Sequence, residues 1–189
     1  MVLLNSLILP MGSPIIDFRL PATDGKTYSP ADFNDKKILV VIFMCNHCPY
    51  VKAVIDRLIS IQSDYASKGV QLMGINANDA ADYPEDSFDA MKEWVVEKGI
   101  NFVYLCDEDQ SIAKAYQAQC TPDIYVFDNV RQPARRGGLV YHGRIDDNWK
   151  EESAVTKQDL RSALDSTLSG HPVSEKQHPS MGCSIKWKG

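Results

Sequence analysis

Residues 38–52 read Ile-Leu-Val-Val-Ile-Phe-Met-Cys-Asn-His-Cys-Pro-Tyr-Val-Lys, and the fold turns on this stretch. Ile38 to Met44 is an unbroken apolar run rich in β-branched residues. That pattern suits a central strand covered on both faces, and its shortness favours strand over helix. Directly after it, Val51, Val54, Ile55, Leu58 and Ile59 recur at helical spacing, with Pro49 tolerated in the first turn and Gly69 just past the end. The segment predicts an amphipathic helix of about five turns. Val70 to Ile75 is a second strand candidate, so strand, helix and strand follow one another closely, the signature of a right-handed parallel crossover.

Working outward, Ser87 to Val96 repeats the helical pattern through Phe88, Met91, Trp94 and Val95, and Asn101 to Leu105 reads as a strand. Ser111 to Tyr116 predicts a short helix, Ile124 to Phe127 a strand following Pro122, and a hairpin then leads to Leu139 to His142. A last helix is expected to open at Thr156 with Asp159 in a capping-box arrangement, to run through Leu160, Leu164 and Leu168, and to stop at Gly170 before Pro172. Upstream, Pro10, Gly12, Pro14, Pro21, Gly25 and Pro30 mark an irregular segment or short hairpin ahead of the core. Residues 171–189 carry little periodicity and read as an extended tail.

The 189 residues are 44% hydrophobic and 24% charged, a composition able to bury a substantial core. A formal charge of −5 and the absence of any block of like charges argue against a nucleic-acid or anionic-membrane partner. The one basic cluster, Arg131, Arg135 and Arg136, reads as a solvated loop. No apolar run is long enough for a membrane span, and Val2 to Leu9 lacks the flanking features of a secretory signal, so the expected location is the cytoplasm. Five cysteines with a single close pair do not resemble a disulfide-stapled secreted domain. In a reducing compartment such a pair points to catalysis or metal binding.

The close pair is Cys45 and Cys48, set where the buried strand ends and the helix begins. A helix N-terminus stabilises thiolate through its unpaired N–H groups and the positive end of its dipole. Two intervening residues let the second sulfur attack a mixed disulfide formed on the first, so the pair can cycle between dithiol and disulfide. Cys45 is expected to be the nucleophile and Cys48 the resolving thiol, with the His47 imidazole favouring the thiolate. Thr121-Pro122 opens a later strand and, beside a dithiol, suggests a cis-proline loop whose Thr121 backbone could pair with a substrate peptide.

Cys45-x-x-Cys48 at the helix start and a proline opening the strand after the third helix resemble the thioredoxin superfamily, over most of residues 15–168. Finer features resemble its redoxin or peroxiredoxin-like branch, the AhpC/TSA family. These are Asn46-His47-Cys48-Pro49-Tyr50-Val51-Lys52, Asn78-Asp79, Tyr83-Pro84-Glu85-Asp86-Ser87, Cys120-Thr121-Pro122-Asp123, Gly143-Arg144-Ile145-Asp146-Asp147 and Gly182-Cys183-Ser184-Ile185-Lys186-Trp187-Lys188. The resemblance implies an α/β thioredoxin-like fold, a central mixed sheet flanked by helices. It would comprise a domain over residues 1–170, of which 1–36 form an N-terminal extension, and a tail over 171–189. Typical peroxiredoxins carry Thr-x-x-Cys, and here Cys45 stands where that threonine would be, while Cys48-Pro49 resembles their peroxidatic cysteine and its proline. Where they tend to place an arginine, this chain has Thr121-Pro122.

The expected function is thiol-disulfide oxidoreductase, with thiol peroxidase as the alternative within enzymes and a non-catalytic zinc-binding or interaction module as the alternative outside them. For zinc the candidate ligands are Cys45, His47, Cys48, His178 and Cys183, a spacing that fits structural zinc sites poorly. The expected partners are protein or small-molecule disulfides and thiols, hydroperoxides under the alternative, and an electron donor that the sequence does not identify. No cofactor or metal is expected. Cys120, two residues before Pro122, and Cys183 in the tail are candidate additional redox thiols, each weighed evenly against an inert role. Cys106 reads as structural, His142 and His171 as surface or packing residues, and Asp79, Asp82, Glu85, Asp86 and Asp89 as a solvated loop and helix start.

Overall fold

The fold was analysed in a computed structural model, which describes residues 3–5, 9–130, 138–174 and 176–189. In chain order the elements are β1 (Leu3–Asn5), β2 (Leu20–Pro21), β3 (Thr27–Tyr28), β4 (Ile38–Phe43), α1 (Pro49–Tyr65), β5 (Val70–Asn76) and α2 (Phe88–Lys98). There follow β6 (Val103–Cys106), α3 (Ser111–Ala115), β7 (Cys120–Thr121), β8 (Asp123–Asp128), β9 (Gly138–His142), α4 (Asp159–Leu168) and β10 (Met181–Ser184). The main sheet has the order β6-β5-β4-β8-β9. In it β4 runs parallel to β5 and β5 to β6, while β8 is antiparallel to both β4 and β9. No described helix is long and apolar enough to cross a membrane.

Every residue of β4 is buried, as expected of a central strand. Its side chains alternate between two cores: Ile38, Val40 and Ile42 pack with Val51, Val54, Ile55 and Leu58 of α1, and with α2 and α4, on one face. Leu39, Val41 and Phe43 pack on the other with Phe18 and Leu20 of the N-terminal segment and with Tyr116, Tyr125 and Phe127. The N-terminal segment therefore covers one face of the sheet, and β2 and β3 form the short hairpin anticipated there.

Two expectations about local structure need correction. The last helix begins at Asp159 with Gln158 as its N-cap, and no capping box forms. Thr156 donates its hydroxyl to Asp147 instead, and Asp159 is held by the Arg144 guanidinium at 2.7 Å, so tertiary partners outcompeted the local cap. The C-terminal segment is also more than a tail, because β10 is the middle strand of a second sheet ordered β1-β10-β7. Its register sets Cys183 opposite Thr121 and Ser184 opposite Cys120. Beyond it, Ile185 donates to Gln119 O at 3.0 Å and Lys186 donates to Asn78 Oδ1 at 2.9 Å, so the chain end is stitched across the molecule. The basic cluster Arg131, Arg135 and Arg136 lies outside the described residues.

Candidate active site

Strand β4 ends at Phe43 and α1 begins with Cys48 as its N-cap residue and Pro49 as its first helical residue, so the dithiol occupies the expected junction. The Thr121-Pro122 peptide bond is cis, and the loop it forms faces the sulfurs. Cys45 Sγ lies 3.4 Å from the Thr121 hydroxyl, and the Cys48 thiol lies 3.1 Å from the Thr121 carbonyl. The edge of Thr121 expected to be open to a substrate is occupied by the chain's own β10. That strand brings Cys183 Sγ to 3.0 Å from Cys48 Sγ. No disulfide joins cysteines among the described residues, and Cys45, Cys48 and Cys183 are buried.

The thiols are strongly differentiated. Cys48 is lowered to about 5, chiefly by the hydrogen bond it receives from Cys45, which outweighs its burial; Cys183, Thr121 and the backbone N–H of Val51 add to the effect. Cys45 is raised well above the ordinary thiol range, first by burial, then by the same hydrogen bond and by the charge of Asp86. Cys183 is raised to about 12, first by burial and then by Cys48. The environments thus push the two thiols apart in the order opposite to the one expected from sequence, Cys48 downward and Cys45 upward. None of the principal groups lowering Cys48 is a cation.

The His47 ring is paired with a carboxylate and not with a sulfur. Its Nδ1 lies 2.5 Å from Asp86 Oδ2, and its ring stacks on Tyr83 with centroids 5.2 Å apart. Asp86, read from sequence as part of a solvated acidic stretch, is 2% exposed and organises the turn between β4 and α1. It accepts from Asn46 N at 2.7 Å, His47 N at 3.2 Å and Asn78 Nδ2 at 2.7 Å. An anion there satisfies backbone N–H groups that a chain turning into a helix leaves unpaired. Asn46 in turn donates to Glu85 O at 2.9 Å and accepts from Tyr104 Oη at 2.9 Å. Asp86, Tyr83, Asn78 and Tyr104 are the site residues that sequence reasoning missed; the stretch holding three of them carried the family resemblance but was read as surface loop.

Of the residues weighed for zinc, only Cys45 and His47 come together in a ligand-like group, with Asp86 as the third member and the three donor atoms within 4.8 Å of one another. The imidazole and carboxylate there are already hydrogen-bonded to each other. Cys120 is buried, which pushes its thiol up, and donates weakly to Pro122 O and Ser180 O at 3.9 and 4.0 Å. Cys106 is half-buried and pushed up to about 11, mainly by burial. His142 packs in the interior behind Pro122, stacked on Tyr125 and 2.8 Å from Asp123.

On the Pro122 side of the site a groove of about 260 Å³ is lined by Tyr50, Pro122, Arg144, Trp149, His178 and Met181 among others. Its aromatic wall is a Tyr50–Trp149 pair with centroids 4.2 Å apart. The loop carrying Trp149 is fixed to α1 by Arg57, which pairs with Asp146 and donates to Asn148 O at 2.9 Å and Trp149 O at 2.7 Å.

A thioredoxin-like fold with a cysteine pair at the head of α1, facing a cis-proline loop, defines the redoxin class of thiol proteins. The chain belongs to the AhpC/TSA family, whose model matches residues 11–132. Over 110 residues it is 24% identical to the Helicobacter pylori protein named "Putative peroxiredoxin bcp", covering 58% of this chain and 67% of that one. It is similar along 100% of its length to the solved structure of an uncharacterized conserved protein from Geobacillus kaustophilus, with 44% identity, a TM-score of 0.91 and 97% of that chain covered. A Chlorobium tepidum protein described as a "putative Thiol:disulfide interchange protein DsbE" shares the fold, with a TM-score of 0.66 at 17% identity over 85% of this chain and 99% of that one.

Proposed function

We propose that this protein is a thiol-disulfide oxidoreductase in which Cys48 is the attacking thiolate. The observation that carries the reading is the placement of Cys45 and Cys48 at the head of α1 against the cis Thr121-Pro122 loop, with Cys45 Sγ 3.4 Å from the Thr121 hydroxyl and Cys48 Sγ 3.1 Å from the Thr121 carbonyl, and the downward shift of Cys48 names the attacking sulfur. A thiolate is the reactive form of cysteine, and a pKa below ambient pH keeps it populated. In the forward direction Cys48 attacks a disulfide R–S–S–R, forming Cys48–S–S–R and releasing R–S⁻, which takes a proton. A second thiol of the chain then attacks Cys48, expels the other R–SH and leaves an intramolecular disulfide. Two thiols of the protein are oxidised and one substrate disulfide is reduced. An external thiol donor reverses the change in the protein, and running every step backwards makes the protein an oxidant.

Membership of the AhpC/TSA family and a Cys48-Pro49 pair with a stabilised thiolate favour a second reading, thiol peroxidase. There Cys48 attacks a hydroperoxide, becomes a sulfenic acid and releases the alcohol, and a second thiol closes a disulfide with loss of water. Against it, no cation is among the main groups stabilising Cys48. A single-turnover comparison of a small disulfide with a hydroperoxide, quenched in acid and peptide-mapped, separates the two. Faster loss of Cys48 thiol to the disulfide supports the oxidoreductase reading, and faster loss to the hydroperoxide rejects it.

A further inference from the structure

The mechanism just proposed leaves open which thiol closes on Cys48. The usual assumption for a Cys-x-x-Cys site is its neighbour in sequence, Cys45, but a third sulfur stands within reach of Cys48 as well. Cys183 Sγ is 3.0 Å from Cys48 Sγ and is held there by backbone pairing, opposite Thr121 on one side and Leu3 on the other. Strand β10 is kept in register beyond the site by the Ile185 and Lys186 backbone bonds, and before it by Ser180, whose hydroxyl donates to Gly143 O at 2.8 Å.

The residue before Cys183 shows how closely the strand is fitted. A Cβ on Gly182 would stand 1.9 Å from Thr121 O and 2.6 Å from Thr121 C, a separation that only glycine tolerates. The close approach presses the Cys183 backbone onto the loop that borders Cys48. Burial, and then the neighbouring Cys48, raise Cys183, so it stands against Cys48 as a thiol that loses its proton when the Cys48 sulfur becomes electrophilic.

Resting on the oxidoreductase reading, we propose that the site is a three-thiol relay in which Cys183 is the first partner of Cys48, and Cys45 takes over the disulfide from it. After Cys48–S–S–R has formed, the Cys183 sulfur attacks Cys48 Sγ, the Cys48–S to R–S bond breaks, and the leaving R–S⁻ takes the Cys183 proton. Cys45 then attacks Cys48 Sγ, the Cys48–Cys183 bond breaks, and the proton lost by Cys45 returns to Cys183. The product is a Cys45–Cys48 disulfide with a regenerated Cys183 thiol. Such a relay separates closure, done by a fixed strand with high effective concentration, from storage of the oxidising equivalent in the Cys-x-x-Cys pair.

The test is a titration of fully reduced full-length protein with 2-hydroxyethyl disulfide, scoring mercaptoethanol released and cysteines linked. The Cys45→Ser variant, unable to form the Cys45–Cys48 pair, is expected to release two equivalents of mercaptoethanol per chain and to yield a Cys48–Cys183 linked peptide. One equivalent, with mercaptoethanol left on Cys48 and Cys183 alkylatable, overturns the relay while the oxidoreductase reading stands. Release of none by the wild-type protein overturns both. In Cys183→Ser the mixed disulfide on Cys48 is expected to persist at least about tenfold longer than in wild type, since the proximity advantage is gone. An unchanged lifetime contradicts the relay. Gly182→Ala, which keeps every thiol, is expected to slow the Cys48–Cys183 closure in the Cys45→Ser background by a similar factor, and an unchanged rate equally contradicts it.

Discussion

The Nδ1 atom of His47 lies 2.5 Å from the buried carboxylate of Asp86, so the histidine inside the dithiol is bound to the α2 approach and not to a sulfur. Asp86 also receives the N–H groups of Asn46 and His47 and the amide of Asn78. Asp86→Asn keeps the shape but sets an NH₂ group against several donors, leaving some unsatisfied. The variant is expected to lose about 1–3 kcal/mol in urea denaturation. Because the Asp86 charge contributes to the raised Cys45 value, the same change is expected to bring Cys45 down, read as faster alkylation of Cys45 at fixed pH.

Stability should depend on pH through the thiols with a definite sign. Cys48 is lowered to about 5 from an ordinary value of 9.0, so between those limits the unfolded chain holds a proton that the folded chain has released. Its stabilising contribution is present above about 9, fades as pH falls, and is gone below about 5. Cys45 and Cys183 are raised, so above 9 the folded chain keeps protons that the unfolded chain has lost, and stability declines there. Urea midpoints are expected to rise from acid toward neutral pH in wild type, and to rise less in Cys48→Ser.

Arg57 is 8% exposed and ties α1 to the loop 146–149 through Asp146, Asn148 O and Trp149 O. Arg57→Met removes the guanidinium and strands a buried carboxylate, a change that typically costs about 3–5 kcal/mol. The Tyr50–Trp149 wall of the groove should loosen with it. Calorimetry is expected to show the lower Tm, and single-turnover exchange a weaker dependence on substrate size.

Much of this was legible in the chain because it is written locally. The run from Ile38 into Cys48 marks a buried strand feeding a helix; β4 and β5 lie where periodicity put them to within a residue at their ends, while α1 stops at Tyr65 and a 3-10 turn over Ala66–Lys68 carries the chain to Gly69. Met181–Ser184 offered no alternation, since its strand character comes from pairing with Thr121 and Leu3, both remote in sequence. Asp86 was unreadable for the converse reason. A carboxylate in an acidic stretch reads as solvated until the amides of Asn46 and His47 are brought to it by the fold. The roles of the two dithiol cysteines also depend on depth, because burial raises Cys45 while Cys45 itself lowers Cys48.

The central claim is that the resident thiolate belongs to Cys48. Ultraviolet thiolate absorbance, titrated across pH in wild type, Cys48→Ser and Cys45→Ser, tests it without requiring a reagent to enter the site. The account predicts one thiolate per wild-type chain with a midpoint of about 5, and its disappearance in Cys48→Ser. In Cys45→Ser a thiolate should remain below the ordinary thiol range, with a hydroxyl now donating in place of the thiol. A low-midpoint thiolate that survives in Cys48→Ser and vanishes in Cys45→Ser would contradict the account and return the nucleophile to Cys45.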